Sequence, residues 1–180
     1  MTFISAEAVS HPVEYSQPYE WFSFPRILTE EHKKILFETY PKEKFVENSR
    51  LSGEKKNYRF NVLELFKQNS LNRHNFNLLK DPWKNFILEL SSEVYYKMLC
   101  AALRVNPNNC YVDIALYHYQ KGDWVTTHID NERKVISQLF YFNLDWHNYW
   151  GGQLYLSSSE HLTDITHVIA PNDLTSIAIR

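Results

Sequence analysis

A chain of 180 residues can bury one core, and 44% hydrophobic with 16% aromatic residues excludes a disordered or low-complexity polymer. A formal net charge of −2 leaves no basic footprint for nucleic acid, and no apolar run is long enough to span a bilayer. Cys100 and Cys110 lie outside any C-x-x-C pattern and no basic segment precedes an apolar one at the N-terminus, so a reduced, cytoplasmic protein is expected.

In chain order, residues 1–16 read as a poorly ordered arm punctuated by Pro12. Residues 17–28 carry Tyr19, Trp21, Phe22 and Phe24 between Pro18 and Pro25, which suits an extended edge segment. Thr29 caps a helix that is acidic in its first turn at Glu30 and Glu31 and that Pro41 stops near Tyr40. The charged residues 45–56 are expected to be loop, with Gly53 in a turn and Glu54, Lys55 and Lys56 solvated. Residues 58–66 alternate in part and fit a strand or a short helix, while the asparagine-rich 69–80 reads as loop. Asp81-Pro82 opens the clearest helix, with Asp81 as N-cap and Pro82 at the first helical position. Trp83, Phe86, Ile87, Leu90, Val94, Met98 and Ala102 then recur at helical spacing over five turns as a core-facing stripe.

From Cys110 onward the pattern is short strands and tight turns with no further helix. The strands are expected at 111–120, 124–127, 135–144, 153–156, 165–169 and 174–179, with turns at Lys121-Gly122-Asp123 and Pro171-Asn172-Asp173. The first places Val112, Ile114, Leu116 and His118 on one face and Ala115, Tyr117 and Tyr119 on the other; the third places Ser137, Leu139, Tyr141 and Asn143 together. The expected class is α+β in one domain over 1–180, with 1–109 a helix-rich support and 110–180 six strands of a β-sandwich or barrel.

His128 and Asp130 stand two apart, so an extended backbone aims an imidazole and a carboxylate at one point. They are two members of a 2-His-1-carboxylate triad, the facial arrangement that holds Fe(II) with open positions. H-x-D alone is common by chance, and a solvated loop pair is the plain alternative. The longer pattern is Tyr119-x-x-Gly122-Asp123-Trp124-x-x-x-His128-x-Asp130-Asn131, then Phe140-Tyr141-Phe142-Asn143-x-Asp145-Trp146, then Gly151-Gly152-Gln153-Leu154. In residue type and spacing it resembles the prolyl-4-hydroxylase-like branch of the Fe(II)/2-oxoglutarate-dependent oxygenases over residues 110–180.

The resemblance implies a double-stranded β-helix, a jelly-roll of two antiparallel four-stranded sheets braced by N-terminal helices, with the helix after Asp81 on the outside of one sheet. It implies His128 and Asp130 as the first two iron ligands, Tyr141 as the hydroxyl that bonds the far carboxylate of 2-oxoglutarate, and Tyr119 as an aromatic lining that pocket. For both tyrosines a packed strand aromatic is the competing reading. The implied activity consumes 2-oxoglutarate and O₂, releases succinate and CO₂, and hydroxylates an unactivated C–H bond of a small-molecule or peptide substrate. Asp130, a true carboxylate, favours hydroxylation over halogenation. Asn143, Asp145 and Trp146 are expected to fix a turn, Gly151-Gly152 to let backbones approach closely, and Trp146, Tyr149 and Trp150 either to pack within their loop or to stack on a substrate ring. No nucleic-acid or membrane partner is expected, and the oligomeric state is left open.

The family pattern also needs a distal His on a seventh core strand and an Arg or Lys on an eighth. No residue up to Arg180 matches either, so both are expected beyond Arg180, with the β-helix incomplete and the 180-residue chain inactive by itself. His167 lies one strand too early and reads as a strand or surface histidine; His118 faces the core side of its strand, and His147 and His161 lie in loops. A non-catalytic β-helix binding module and a cupin-like protein with another metal are the alternative functions.

Overall fold

The computed structural model describes residues 2–53, 56–108, 110–159, 161–172 and 176–180, with the side chain of Leu162 outside that description. Its N-terminal segment is folded, contrary to the expected arm. Phe3, Ile4 and Val9 are buried, Ser5 caps α1 (Ala6–Ser10), and the Glu89 carboxylate accepts from the N–H groups of Phe3 and Ile4 at 2.7 and 3.1 Å. Three buried side chains and two long-range bonds outweigh the polar composition around them. β1 (Val13–Tyr15) pairs with β2 (Trp21–Ser23), and β2 is an interior strand rather than the expected edge, because β11 (Ser176–Ile179) takes its other side.

α2 (Glu30–Glu38) starts at Thr29, whose hydroxyl accepts from His32 N, and closes when the Thr39 hydroxyl donates to Ile35 O at 2.6 Å. The expected loop at 45–56 contains β3 (Val46–Arg50); all its side chains are exposed, so no alternation marks it, and pairing to β4 makes it a strand. β4 (Tyr58–Lys67) resolves the strand-or-helix ambiguity of 58–66. In the expected loop at 69–80 stand β5 (Ser70–Leu71) and α3 (Arg73–Asn77), the latter capped by Asn72.

The single five-turn helix is two helices, α4 (Asp81–Leu90) and α5 (Glu93–Ala102). Lys80, not Asp81, occupies the N-cap of α4, and Asp81 sits in the first turn 3.6 Å from Lys84. Ser92 makes the break: its hydroxyl donates to Glu89 O at 2.7 Å and accepts from Tyr95 N, capping α5. The change of phase turns Val94 out to 78% exposure, while Trp83, Phe86, Ile87 and Leu99 remain buried.

β6 (Ile114–His118), β7 (Trp124–Val125), β8 (Ser137–Phe140), β9 (Leu154–Ser157), β10 (Ile165–Ile169) and β11 fall on the six expected strands, most of them shorter. Leu174 and Thr175 of the expected last strand, and Asp173 of the turn before it, lie outside the described residues. The fold is α+β, with three antiparallel sheets and five helices among the described residues: β1-β2-β11-β8, then β9-β10, then β4 with β3, β5, β6 and β7. No sheet closes on itself among the described residues, and none of the described helices is long and apolar enough to cross a membrane.

Alternation along the strands divides the interior. Phe140 and Phe142 face the helices, where Trp83 and Phe86 meet them edge-on at 4.9–5.9 Å; Leu63, Leu65 and Leu116 join the same core. Leu139 and Tyr141 face the other way, against Trp21, Leu156, Ile169 and Ile177. The helices after Asp81 thus pack on strands of two sheets, β8 of one and β4 and β6 of the other, rather than on the outside of a single sheet.

Candidate functional site

The chain enters the site through β7. Tyr58 and Arg59 of β4 pair with Val125 and Trp124, and Asn57 and Thr126 extend the pairing through bonds of 2.9–3.2 Å. The preceding turn is fixed by Asp123, which accepts from Gln120 N at 2.8 Å and Arg59 Nε at 3.2 Å. Gly122 has φ of +85°, and a Cβ there would stand 3.0 Å from the Arg59 guanidinium, so this glycine is required by the backbone. The Gly122-Asp123 pair therefore aims the chain at the site rather than entering it.

His128 and Asp130 converge as expected. Nδ1 of His128 lies 2.8 Å from Thr126 O, and a carbonyl only accepts, so Nδ1 carries the hydrogen and Nε2 keeps its lone pair. Nε2 is 3.6 Å from Asp130 Oδ1. Bonds of about 2.0–2.2 Å to a nitrogen and an oxygen place those donors roughly 3–4 Å apart, so the pair fits one divalent cation. The other Asp130 oxygen accepts from Ser137 Oγ at 2.5 Å, and Oδ1 accepts from Lys134 Nζ at 2.9 Å. An imidazole with its hydrogen on Nδ1 donates nothing to Asp130, so it is Ser137 and Lys134 that hold the carboxyl well below the usual carboxylate range, against the opposing pull of partial burial. Among the described residues no third His, Cys, Asp or Glu joins these two.

Lys56 was expected in solvent with Glu54 and Lys55, which lie outside the described residues. Its ammonium instead stands 2.8 Å from His128 Nε2, and burial, then repulsion from Lys134, lowers its pKa. No motif marks Lys56, Lys134 or Ser137 as site residues; Lys134 falls in the 131–134 loop that the resemblance sets facing the substrate, and Ser137 shares a strand face with Tyr141.

Tyr119 and Tyr141 belong to the same neighbourhood. Burial raises both hydroxyls, Tyr119 up to about 12, and Tyr119 adds to the shift of Tyr141. Neither hydroxyl has a hydrogen-bond partner among the described residues, so each stays protonated at neutral pH and can donate to a ligand. Tyr117 lies two along from Tyr119 on the same face, its hydroxyl raised by burial and influenced by Lys134 and Asp130. The Tyr19 hydroxyl, between β1 and β2, is raised as well, by burial first and then by the Asp130 charge; no sequence motif marks it.

His167 packs against Trp21 and Tyr15, with ring centroids at 5.3 and 6.0 Å, as a strand histidine away from His128. His118 packs on Phe45 and Tyr40. Gly151 and Gly152 have φ of +73° and +84° with open space where a Cβ would sit, so conformation explains them and close approach does not. In the loop before them His147, Tyr149 and Trp150 pack on one another with ring centroids 4.8–6.2 Å apart, as one of the two expectations had it, while Tyr149 and Trp150 stay exposed to solvent; Trp146 Nε1 donates to Gly151 O at 2.9 Å and Gln153 Nε2 to Asn148 O at 3.3 Å. Comparison with protein-family models, with curated proteins and with solved structures finds no match for this chain.

Proposed function

We propose that the protein is an Fe(II)- and 2-oxoglutarate-dependent dioxygenase that hydroxylates an unactivated C–H bond, built on a double-stranded β-helix. The observation that carries this reading is the His128 tautomer: Thr126 O fixes the hydrogen on Nδ1, so the Nε2 lone pair, which accepts from Lys56, stands beside a carboxylate already ionised and oriented by Ser137. The architecture is supported by free strand edges. Among the described residues β6 and β7 pair only with β4, β8 only with β11, and β9 only with β10, as expected if two more strands complete two four-stranded sheets. The third ligand and the cation for the far carboxylate come, on this reading, from outside the described residues.

With iron bound, the metal would couple oxidative decarboxylation of 2-oxoglutarate by O₂, giving succinate and CO₂, to hydroxylation of the substrate. This chain's residues do the rest. His128 and Asp130 hold the metal, and the Thr126 carbonyl and Ser137 hydroxyl keep their orientation. The protonated Tyr141 hydroxyl donates to the far carboxylate of 2-oxoglutarate, and Tyr119 walls the same pocket against water.

A metal-free binding module is favoured by one observation: Lys56 and Lys134 already satisfy Nε2 and Oδ1. Anaerobic titration of the full-length protein with Fe(II) and 2-oxoglutarate separates the two. The dioxygenase reading expects a visible metal-to-ligand charge-transfer band that His128→Ala abolishes. Absence of the band, with iron affinity unchanged in His128→Ala, rejects it.

A further inference from the structure

Two ammonium groups stand where a metal would need to bind. Lys56 Nζ is 2.8 Å from His128 Nε2, and Lys134 Nζ is 2.9 Å from Asp130 Oδ1. They share a single carboxylate. A dication taken up by His128 and Asp130 displaces both lysines, because each donates to an atom the metal requires. Their backbones are held beside it: Asn57, next to Lys56, is bonded to Thr126, and Lys134 N donates to Asn131 O at 2.8 Å in a tight turn. Two ammonium groups and a dication against one carboxylate leave three positive charges at the mouth of the site. A dianionic cosubstrate cancels two of them, and one remains.

We propose that Lys56 and Lys134 form a carboxylate-binding subsite for the substrate, which is a small molecule with a free carboxylate and an apolar body. The inference rests on the proposed metal site and names its substrate class. The apolar body is argued from the wall beside the lysines. Lys56 Nζ stands 5.9 Å from the centroid of Tyr58; Tyr58 stacks on Phe60 at 4.8 Å, and Phe60 meets Tyr117 and Tyr119 at 5.2 and 5.6 Å. Tyr117 and Tyr119 are 53% and 46% exposed, so this aromatic wall is open to a ligand. An ion-paired carboxylate at its rim, with carbon packed on the rings, uses both features.

The test uses the full-length protein with Mn(II) as the metal, and with benzoate and its uncharged counterpart benzamide as ligands. Free Mn(II) is followed by electron paramagnetic resonance, and ligand binding by paramagnetic relaxation of the ring protons. Benzoate is expected to bind saturably beside Mn(II) and benzamide about tenfold more weakly or worse. Lys56→Met and Lys134→Met should each weaken benzoate about tenfold and leave Mn(II) affinity equal or tighter, with Lys→Arg at either position retaining benzoate. Mn(II) uptake with equal binding of benzoate and benzamide overturns the subsite alone. Lysine variants that weaken 2-oxoglutarate but not benzoate assign the pair to the cosubstrate and overturn it too. No Mn(II) uptake overturns both this proposal and the metal-dependent function, since the lysines then stay on His128 and Asp130.

Discussion

The two faces of the sheet formed by β4 and β6 are made by alternate residues of the same strands, yet they live in different solvents. On one, Leu63, Leu65 and Leu116 are 1%, 0% and 7% exposed beneath the helices. On the other, Tyr58, Phe60, Tyr117 and Tyr119 make an aromatic wall around Lys56, His128 and Asp130. The first face has shed its water on folding and supplies stability. The second has shed only part of it and retains hydroxyls, ammonium groups and a carboxylate that a ligand can engage. Alternation, not distance along the chain, separates support from site.

The sharpest way to break that division is to truncate adjacent residues. Leu116→Ala should cost about 2–5 kcal/mol, because a helix-covered core cannot collapse onto the void. Tyr117→Ala should cost about 1 kcal/mol or less, mainly its edge contact with Phe60. His128→Ala should stay within about 0.5 kcal/mol of the parent and, on the proposed reading, lose metal binding. Urea midpoints for the three variants check this order; a Tyr117 loss equal to that of Leu116 would mean that both faces are core.

A smaller effect belongs to the helical support. Ser92→Ala removes the hydroxyl that caps α5 and closes α4, and should cost about 1 kcal/mol, with Tm falling by about 2–4 °C. Iron binding should be unchanged, since α5 meets β8 on its helix-facing side, where Tyr95 Oη donates to Gln138 Oε1 at 2.8 Å. If Ser92→Ala weakened metal binding as well, the support and the site would be coupled rather than separate.

What could be read from the sequence follows the same physical line. The six strands after Cys110 were legible because alternation and turn residues agree there, and β10 was placed to the residue. That His128 and Asp130 stand side by side was legible from their spacing of two. β3 was not, since a strand with every side chain exposed carries no alternation and is made by pairing alone. The break between α4 and α5 was hidden because an unbroken apolar stripe reads the same with or without a serine that bonds its own backbone. Lys56 stayed hidden for another reason: it lies 72 positions from His128, and only the register of β7 on β4 joins them.

The smallest expected effect lies at the rim, where β4 leaves the sheet and both faces end. Gln68 and Asn69 turn the chain there at φ of +48° and +63°, and Asp113 holds the turn, accepting from Gln68 N at 2.6 Å and Lys67 Nζ at 3.0 Å. Partial burial works to raise the Asp113 carboxyl, but the Gln68 N–H and the Lys67 ammonium outweigh it, so its pKa lies below the ordinary value. A depressed folded pKa means that the stabilisation is complete above the unfolded carboxylate value, about 3.9, and is lost as pH falls through the folded one. The Lys67 side of the pair is raised, by its hydrogen bond to Asp113 first, and fades only as pH climbs past the ordinary lysine range. Asp113→Asn keeps an acceptor for Gln68 N but removes the charge, so it should cost at most about 1 kcal/mol at pH 7. That difference should shrink towards zero as pH is taken from 7 to a second value well below about 3.9, through the lowered folded pKa, where the parent carboxylate is protonated too. Urea midpoints of parent and variant at the two pH values measure it. A gap that persisted in acid would mean that Asp113 acts through its shape in the turn, and that the rim is held by packing as firmly as the helix-covered face.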